Sequence, residues 1–430
     1  MSYLDRTFAI NSHGSSVQRE LVAGVTTFLA MAYISVVNPA ILSETGMSFD
    51  AVFVATCLAA AFGCFAMGIL ANYPIALAPG MGQNAFFAYG ICIGMGYSWQ
   101  AALGAVFVSG LLFILISILP LREWLINAIP KSLKMGIAAG IGLFLAIIAL
   151  TNAGIVVDNP ATLVAFGDLT STSSLLLIAG FAIIVALTAR NIPGAIIIGV
   201  LLVSLAAWSL GTAQFNGVLS MPPNPSAFLA LDIPATLEWT MLTVILTLLL
   251  VDVFDTAGTL VGVTTRAGLI GDDGKLPRLK RALIADSSAT AVGALFGTSS
   301  TTSYVESAAG VESGGRTGLT SVVVGVLFLI CLFAAPLAQS IPPFATAAAL
   351  LFVSCYMIKS LIDIDWDDLS ESAPAIVTAV SMPLSYSIAD GIGLGFITYV
   401  GIKVLAGRFS DCSLAVVFIA AIFAFKFAAL

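Results

Sequence analysis

The sequence predicts an all-α polytopic membrane protein of fourteen transmembrane segments, arranged as two inverted repeats of seven. Charge is too sparse for anything else: 59% of the 430 residues are hydrophobic, 9% are charged, and the mean hydropathy is +1.07. A water-soluble chain of this size needs far more charge to cover its surface. Crossing a hydrocarbon core of about 30 Å takes roughly 20 apolar residues as helix, and stretches of that length recur from end to end. The hydrophilic stretches (the first 20 residues, 152–172, 211–237 and 264–281) are each too short to bury a core of their own. A soluble domain is thereby excluded.

Polar and Gly/Pro punctuation divides the chain into segments 22–42, 50–70, 77–96, 100–121, 132–151, 173–189, 194–210, 239–263, 282–297, 300–313, 317–339, 343–361, 371–387 and 389–406. Orientation is tested with lysine and arginine, which collect on the cytoplasmic side. With the N-terminus cytoplasmic, the inner loops collect Arg6, Arg19, Arg122, Lys131, Lys134, Arg190, Arg266, Lys275, Arg278, Lys280, Arg281, Arg316, Lys359, Lys403 and Arg408, which leaves only Lys426 of the 16 basic residues. The outer loops (43–49, 97–99, 152–172, 211–238, 340–342 and 388) hold none. A wrong count would scatter these charges. A further apolar stretch, 412–428, is left as an extra span or an interfacial helix. The mixed-charge start, with Asp5, Arg6 and His13, does not read as a cleavable signal. The short tails and the lack of transit-peptide features suit a bacterial inner membrane.

An odd number of segments per half sends the second half in upside down, the topology of an inverted repeat. Residues 1–212 form the first repeat, 213–238 an extracytoplasmic linker, 239–408 the second repeat and 409–430 a C-terminal apolar segment. The third segment of each half is interrupted: Leu77–Gly90 by Pro79, Gly80 and Gly82, and Gly297–Gly310 by a Ser/Thr run. Non-helical backbone at membrane depth is tolerated only where protein or a cavity satisfies it. Such a pair in matching positions points to a central binding site.

Intramembrane acids are costly and default to function. Asp252 and Asp255 lie mid-segment 8, three residues apart and so on roughly one helix face. Glu306 follows the Ser/Thr run of segment 10, and Gln83 and Asn84 stand at the mirrored place in segment 3. Carboxylates with an amide and no intramembrane cation repel anions. They suit a cation, a proton or a neutral solute rich in N–H donors, such as a heterocyclic base. Phe86, Phe87, Phe254 and Tyr304 adjoin these positions, where an aromatic face stacks on a flat ring, and Thr259 and Ser303 add hydroxyls. Desolvation and a like-charged neighbour favour the protonated form of a carboxyl, so Asp252, Asp255 and Glu306 are the candidates for taking up and releasing a coupled proton.

Other residues take structural readings. Glu312 is expected to pair with Arg316 at the cytoplasmic surface, and Asp286, Glu371 and Asp390 to cap segment ends. Gly136/Gly140 and Gly391/Gly395 are expected to let helices approach closely. Cys57, Cys64, Cys92, Cys331, Cys355 and Cys412 read as small buried hydrophobes. The single histidine lies in the N-terminal tail, so neither a His-based metal site nor a His relay is expected.

At these residues the sequence resembles the nucleobase–cation symporter-2 superfamily, and within it the AzgA-like hypoxanthine/guanine/adenine permeases. The matching strings are Asn38–Pro39, Ala78–Ala85, Asp252–Thr259, Thr298–Glu306, Ala309–Gly318, Asp363–Asp368 and Ser387–Gly391. The similarity runs to about residue 408. It implies a core domain of segments 1–4 and 8–11 and a gate domain of segments 5–7 and 12–14. It also implies short antiparallel strands in segments 3 and 10, purine import by proton symport, an elevator-like or rocking movement, and a homodimer through the gate domains. The segment-8 carboxylate falls on Asp255, the segment-10 carboxylate on Glu306 and the segment-3 amide on Asn84. Many uracil and xanthine relatives carry histidine where Thr259 stands and asparagine where Ser307 stands. Both departures point to the hypoxanthine/guanine/adenine branch.

The alternatives are an anion transporter of the same fold, of sulfate or bicarbonate type, and a membrane channel. An anion carrier calls for a neutral or basic residue in place of Glu306. An intramembrane enzyme needs a nucleophile with its base or a metal cluster, which an interior without histidine does not offer. No organic cofactor, metal or nucleic-acid partner is expected; the partners are a purine base, the surrounding lipid and a second copy of the chain.

Overall fold

Helix follows apolarity along the chain, and it breaks where proline, glycine or β-branched residues interrupt it. The computed structural model describes residues 3–119, 129–269 and 276–428. Arg122, Lys275 and the expected end of segment 4 at 120–121 lie outside the described residues. Segments 1, 2, 4, 5, 6, 8, 11, 12 and 14 correspond to nine helical stretches that are, among the described residues, long and apolar enough to cross a membrane. Segment 7 (Ala195–Ser209) and segment 13 (Leu369–Ser385) are shorter helices, and segment 9 (Leu279–Phe296) carries three charged residues, Lys280, Arg281 and Asp286.

Segments 3 and 10 depart from helix. Strand β1 (Leu77–Pro79) opens segment 3, followed by a helical turn Met81–Ala85 that widens over Phe86–Gly94. Pro79 has no N–H and disfavours helix at the residue before it. The loop between segments 5 and 6 holds a hairpin, β2 (Val156–Asn159) and β3 (Leu163–Phe166), absent from the sequence reading. Segment 10 opens with β4 (Thr301–Ser303), continuing as the short helix Ser307–Glu312. β1 and β4 pair antiparallel, Leu77 opposite Ser303 and Pro79 opposite Thr301. The strands expected from the resemblance therefore exist, and they join the two halves of the chain.

Helix packing repeats on exchanging each segment for the one seven positions later. Segment 2 packs on 11 and 9 on 4; 1 packs on 11 and 8 on 4; 5 packs on 13 and 12 on 6. Segment 13 shows how close approach is achieved. A Cβ added at Gly136 or Gly140 of segment 5 would strike Ala375 or Met382, and one at Gly391 or Gly395 of segment 14 would strike Met382 or Thr378. Glycines on both sides thus seat segment 13 between its neighbours, as expected.

The stretch 412–428 forms helix Leu414–Ala428, packed along segment 14 and touching segment 8. Lys403, late in segment 14, pairs with Asp411 just before this helix, and Lys426 near its end pairs with Asp390 in the first turn of segment 14 at 2.7 Å. The helix therefore runs antiparallel to the whole of segment 14, and Phe425 meets Trp239 of segment 8 edge-on. All six cysteines are free; Cys57 and Cys64 are buried, whereas Cys355 is exposed, contrary to its sequence reading.

Candidate functional site

The strand crossing leaves few orphaned main-chain groups at membrane depth. The Tyr304 N–H donates to the Ala76 carbonyl (2.9 Å), the Ala76 N–H to Ser307 Oγ (3.0 Å) and the Gly80 N–H to the Ser300 carbonyl (2.9 Å). The Tyr304 hydroxyl donates to the Pro79 carbonyl at 2.5 Å. Asn38 donates through Nδ2 to both Thr56 and Thr298, each at 2.8 Å, tying segments 1 and 2 to the Ser/Thr run. Satisfied in this way, non-helical backbone holds its place inside the bundle.

Two carboxylates of the second repeat lie near one another beside the crossing. Asp255 is exposed and Glu306 half-buried, and each lies within electrostatic range of the other. Tyr304 is within range of both. Glu306 Oε1 accepts a 2.7 Å hydrogen bond from Tyr33. The open face continues along segment 8: a Cβ at Gly258 or Gly262 would meet nothing within 4 Å, and Val261, Thr265 and Arg266 are exposed. The middle of the helix is closed, with Val244, Leu248 and Val251 buried, while Trp239 and Leu242 at its start are exposed. The site thus opens toward Arg266. The central site expected from the sequence is therefore open on one side, because that side of segment 8 bears glycine, which fills no space.

Behind the crossing lies a second, closed network. Asp252 is fully buried; Oδ1 accepts from Gln83 (3.1 Å) and Oδ2 from the Thr290 hydroxyl (2.8 Å). Asp286 is equally buried and accepts from Ser303 and Thr256, both at 2.6 Å. Thr256 in turn lies 3.0 Å from the Thr302 hydroxyl. Asp252 and Asp255 therefore do not share an environment despite their spacing, and the Ser303 hydroxyl is turned to Asp286. Asp286 is no segment-end cap: segment 9 starts at Leu279, three residues before the expected boundary, which moves this acid inside the helix.

The remaining candidates divide. Asn84 is buried; its Oδ1 accepts from the Ser299 hydroxyl, while its Nδ2 has no hydrogen-bond partner among the described residues, so both of its N–H donors are left over. Phe86 is buried with its ring against Gly90 of its own segment, a packing position. Phe87 is also buried, and Thr259 is buried one turn beyond Asp255. Phe254 is half-buried, and the Lys134 ammonium sits 5.6 Å from its ring centroid, a cation–π contact that covers one face.

Several structural readings are corrected. Lys134, counted with the inner-loop charges, lies within helix Lys131–Asn152. Glu312 pairs with Arg266 at 3.2 Å; Arg316 is taken up by the Val311 and Gly315 carbonyls, which the preceding turn brings nearer. Lys403 is inside segment 14, its side chain only 1% exposed, and pairs at 2.7 Å with Glu371, which is thus an ion-pair partner rather than a simple cap. Tyr399 and Ser132 also donate to Glu371. Asp390 leaves the capping to Ser387, whose hydroxyl accepts the Asp390 N–H (3.2 Å), and binds Lys426 instead. Glu20, not singled out from the sequence, is buried and accepts from the Arg316 and Thr317 N–H groups and the Thr320 hydroxyl, tying segment 1 to the start of segment 11, whose cap is Thr317. Tyr33 also gave no signal, because a tyrosine in an apolar run reads as packing.

Comparison with known proteins fits this architecture. A family model named Xan_ur_permease and described as "Permease family" matches residues 18–394. Adenine permease AdeP of Escherichia coli (strain K12) is 48% identical over 424 residues, covering 98% of this chain and 95% of that one. Guanine/hypoxanthine permease PbuO of Bacillus subtilis (strain 168) is 42% identical, covering 97% and 98% respectively. Among solved structures, the transmembrane domain of the cyanobacterial bicarbonate transporter BicA superposes with a TM-score of 0.65 at 18% identity, covering 89% of this chain and 97% of that one. At that identity the likeness concerns the fold.

Proposed function

The chain belongs to the nucleobase–cation symporter-2 permease family, and from that premise we propose that it imports purine nucleobases by proton symport. Hypoxanthine, guanine and adenine are the candidate substrates. The observation that carries the reading is the proximity of Asp255 and Glu306, both from the second repeat, at the open side of the strand crossing. The names of AdeP and PbuO support purines as the substrate class.

A purine presents N–H donors and ring-nitrogen acceptors along its edges. Asp255 and Glu306 accept from its N–H groups, and the spare Nδ2 of Asn84 donates to an acceptor. Two carboxylates at close quarters do not both stay ionised at little cost, so a proton taken up by one of them accompanies the base. Asp252, hydrogen-bonded by Gln83 and Thr290, supports the site from behind. The free face of Phe254 is left to stack on the ring.

Segments 1–4 and 8–11 act as the moving core, and segments 5–7 and 12–14 as the gate on which a homodimer forms. The open stripe from Asp255 to Arg266 is then the cytoplasmic exit, with the N-terminus also cytoplasmic and the protein in a bacterial inner membrane. The test is uptake of labelled hypoxanthine and adenine into proteoliposomes under an imposed proton gradient. Accumulation that saturates, collapses with a protonophore and is competed by purines but not by uracil or bicarbonate is expected. Gradient-independent uptake, or competition by bicarbonate, would overturn the proposal.

A further inference from the structure

We infer that Tyr33 is a positioning residue for Glu306: it fixes the carboxylate on which substrate is received and couples that carboxylate to the break in segment 1. The inference rests on the reading of Glu306 as a substrate-binding group and assigns a role to a residue outside that reading.

Segment 1 is not one continuous helix. It runs Val17–Met31, breaks at Ala32 and Tyr33, and resumes as Ile34–Ser43. Pro39 cannot donate to the carbonyl four residues back, at Ser35, which weakens the helix there. At the break the Ala32 carbonyl accepts both the Ser35 N–H at 3.1 Å and the Ser35 hydroxyl at 2.7 Å. At this break the Tyr33 side chain departs from the ordinary path of segment 1 and reaches a residue 273 positions away, with its hydroxyl 2.7 Å from Glu306 Oε1.

The same segment carries the rest of segment 10. A Cβ at Gly310 would strike Thr27 Oγ1 and the Ala23 carbonyl, and one at Gly315 would strike Ala23 Cβ. Helix Ser307–Glu312 thus lies directly on Val17–Met31, and Tyr33 pins the carboxylate that begins it. Tyr33 is 1% exposed, so its phenol has no water to exchange for the carboxylate. Among the described residues it is the one side chain that hydrogen-bonds Glu306. A charge-assisted hydrogen bond to one oxygen narrows the torsions open to the carboxylate and so limits the directions in which its remaining lone pairs point. Without the phenol, Glu306 rotates more freely about its side-chain torsions in a site open on one side, and the base loses a preorganised acceptor.

The experiment compares Tyr33→Phe with wild type in proteoliposomes and in binding to detergent-purified protein. Phenylalanine keeps the ring and removes only the hydroxyl. The expected result is an apparent KM for purine raised roughly tenfold or more, the range for losing a hydrogen bond to a charged group, with maximal rate within about twofold and melting temperature unchanged. Adding Tyr33→Phe to Glu306→Gln is expected to cost no further affinity, because the charged acceptor is already gone. Wild-type KM in Tyr33→Phe, or an equal loss in the Glu306→Gln background, overturns the inference and leaves Tyr33 a packing residue. If Tyr33→Phe lowers the melting temperature, the infrared band of the Glu306 carboxyl, assigned by its loss in Glu306→Gln, decides: a displaced band supports the inference and an unmoved one overturns it. Wild-type liposomes that take up no purine would instead sink the substrate reading, and the infrared comparison, needing no substrate, would still judge whether Tyr33 holds Glu306.

Discussion

Asp252 and Asp255 are the same residue type, three positions apart on one helix, yet their surroundings are opposite. Asp252 is sealed behind the strand crossing with an amide and a hydroxyl on its two oxygens. Asp255 is exposed on a face lined by glycine and looks across at Glu306. The buried pair Asp252/Asp286 makes its hydrogen bonds within the protein and so holds Gln83, Thr290, Ser303 and Thr256 in place. The open pair Asp255/Glu306 retains capacity for a ligand. Under the proposed function, hydrogen-bond satisfaction, rather than acidity or depth, separates scaffold from site.

The sharpest way to break this contrast is to neutralise the open pair. Asp255→Asn and Glu306→Gln are each expected to lower purine uptake by roughly 100-fold, the upper range for a lost hydrogen bond to a charged group, with melting temperature within a few degrees of wild type. Uptake that survives both changes would remove these residues from the site.

Truncation in the closed network should act on the fold first. Asp252→Ala or Asp286→Ala strands buried hydroxyl or amide donors, at about 1–3 kcal/mol each, so lower melting temperature and lower yield are expected, followed by lower uptake. A stable Asp252→Ala protein with abolished transport would place Asp252 with the open pair.

A smaller effect tests the open stripe. Gly262→Cys in a cysteine-free background should react with a polar thiol reagent several times faster than Val251→Cys in the buried middle of the same helix. Equal rates would mean that the asymmetry along segment 8 is absent in solution.

The smallest effect is expected at Asp368, the cap of segment 13. Its hydrogen bond from the Ser370 hydroxyl, with the Arg408 guanidinium beside it, holds its carboxyl down at about 2. A carboxyl whose value is depressed on folding adds stability above its unfolded value of about 3.9, and loses it only as pH falls through the folded one. Melting of Asp368→Asn should therefore differ from wild type by a constant, small amount from pH 5 to 8, converging only in strong acid. A pH-dependent gap within that window would show that this cap, and not only the membrane-embedded acids, contributes to any pH response.

Much of the architecture was readable because lipid imposes a one-dimensional rule. Apolar runs of sufficient length mark the helices, and Pro79 and the Ser/Thr run mark the two places where helix gives way to strand. Gly136, Gly140, Gly391 and Gly395 announced close packing through their spacing alone. Asp255, Glu306 and Asn84 stood out because polar groups in apolar segments are costly. Asp286 was equally costly, but an error of three residues in the segment boundary disguised it as a cap. The signal was present and was weighed against a misplaced helix end.

Composition and pattern by themselves determined that this chain lives in a bilayer, that its halves are inverted, and that Asp252, Asp255 and Glu306 lie within apolar segments, since each follows from the cost of placing polar groups in hydrocarbon. Only the tertiary structure decided which acid is sealed and which is open, that Tyr33 reaches Glu306, that Lys134 covers Phe254, and that Lys403 and Lys426 are paired along segment 14. Those outcomes depend on the direction each side chain takes between helices far apart in sequence, and no local pattern encodes that direction.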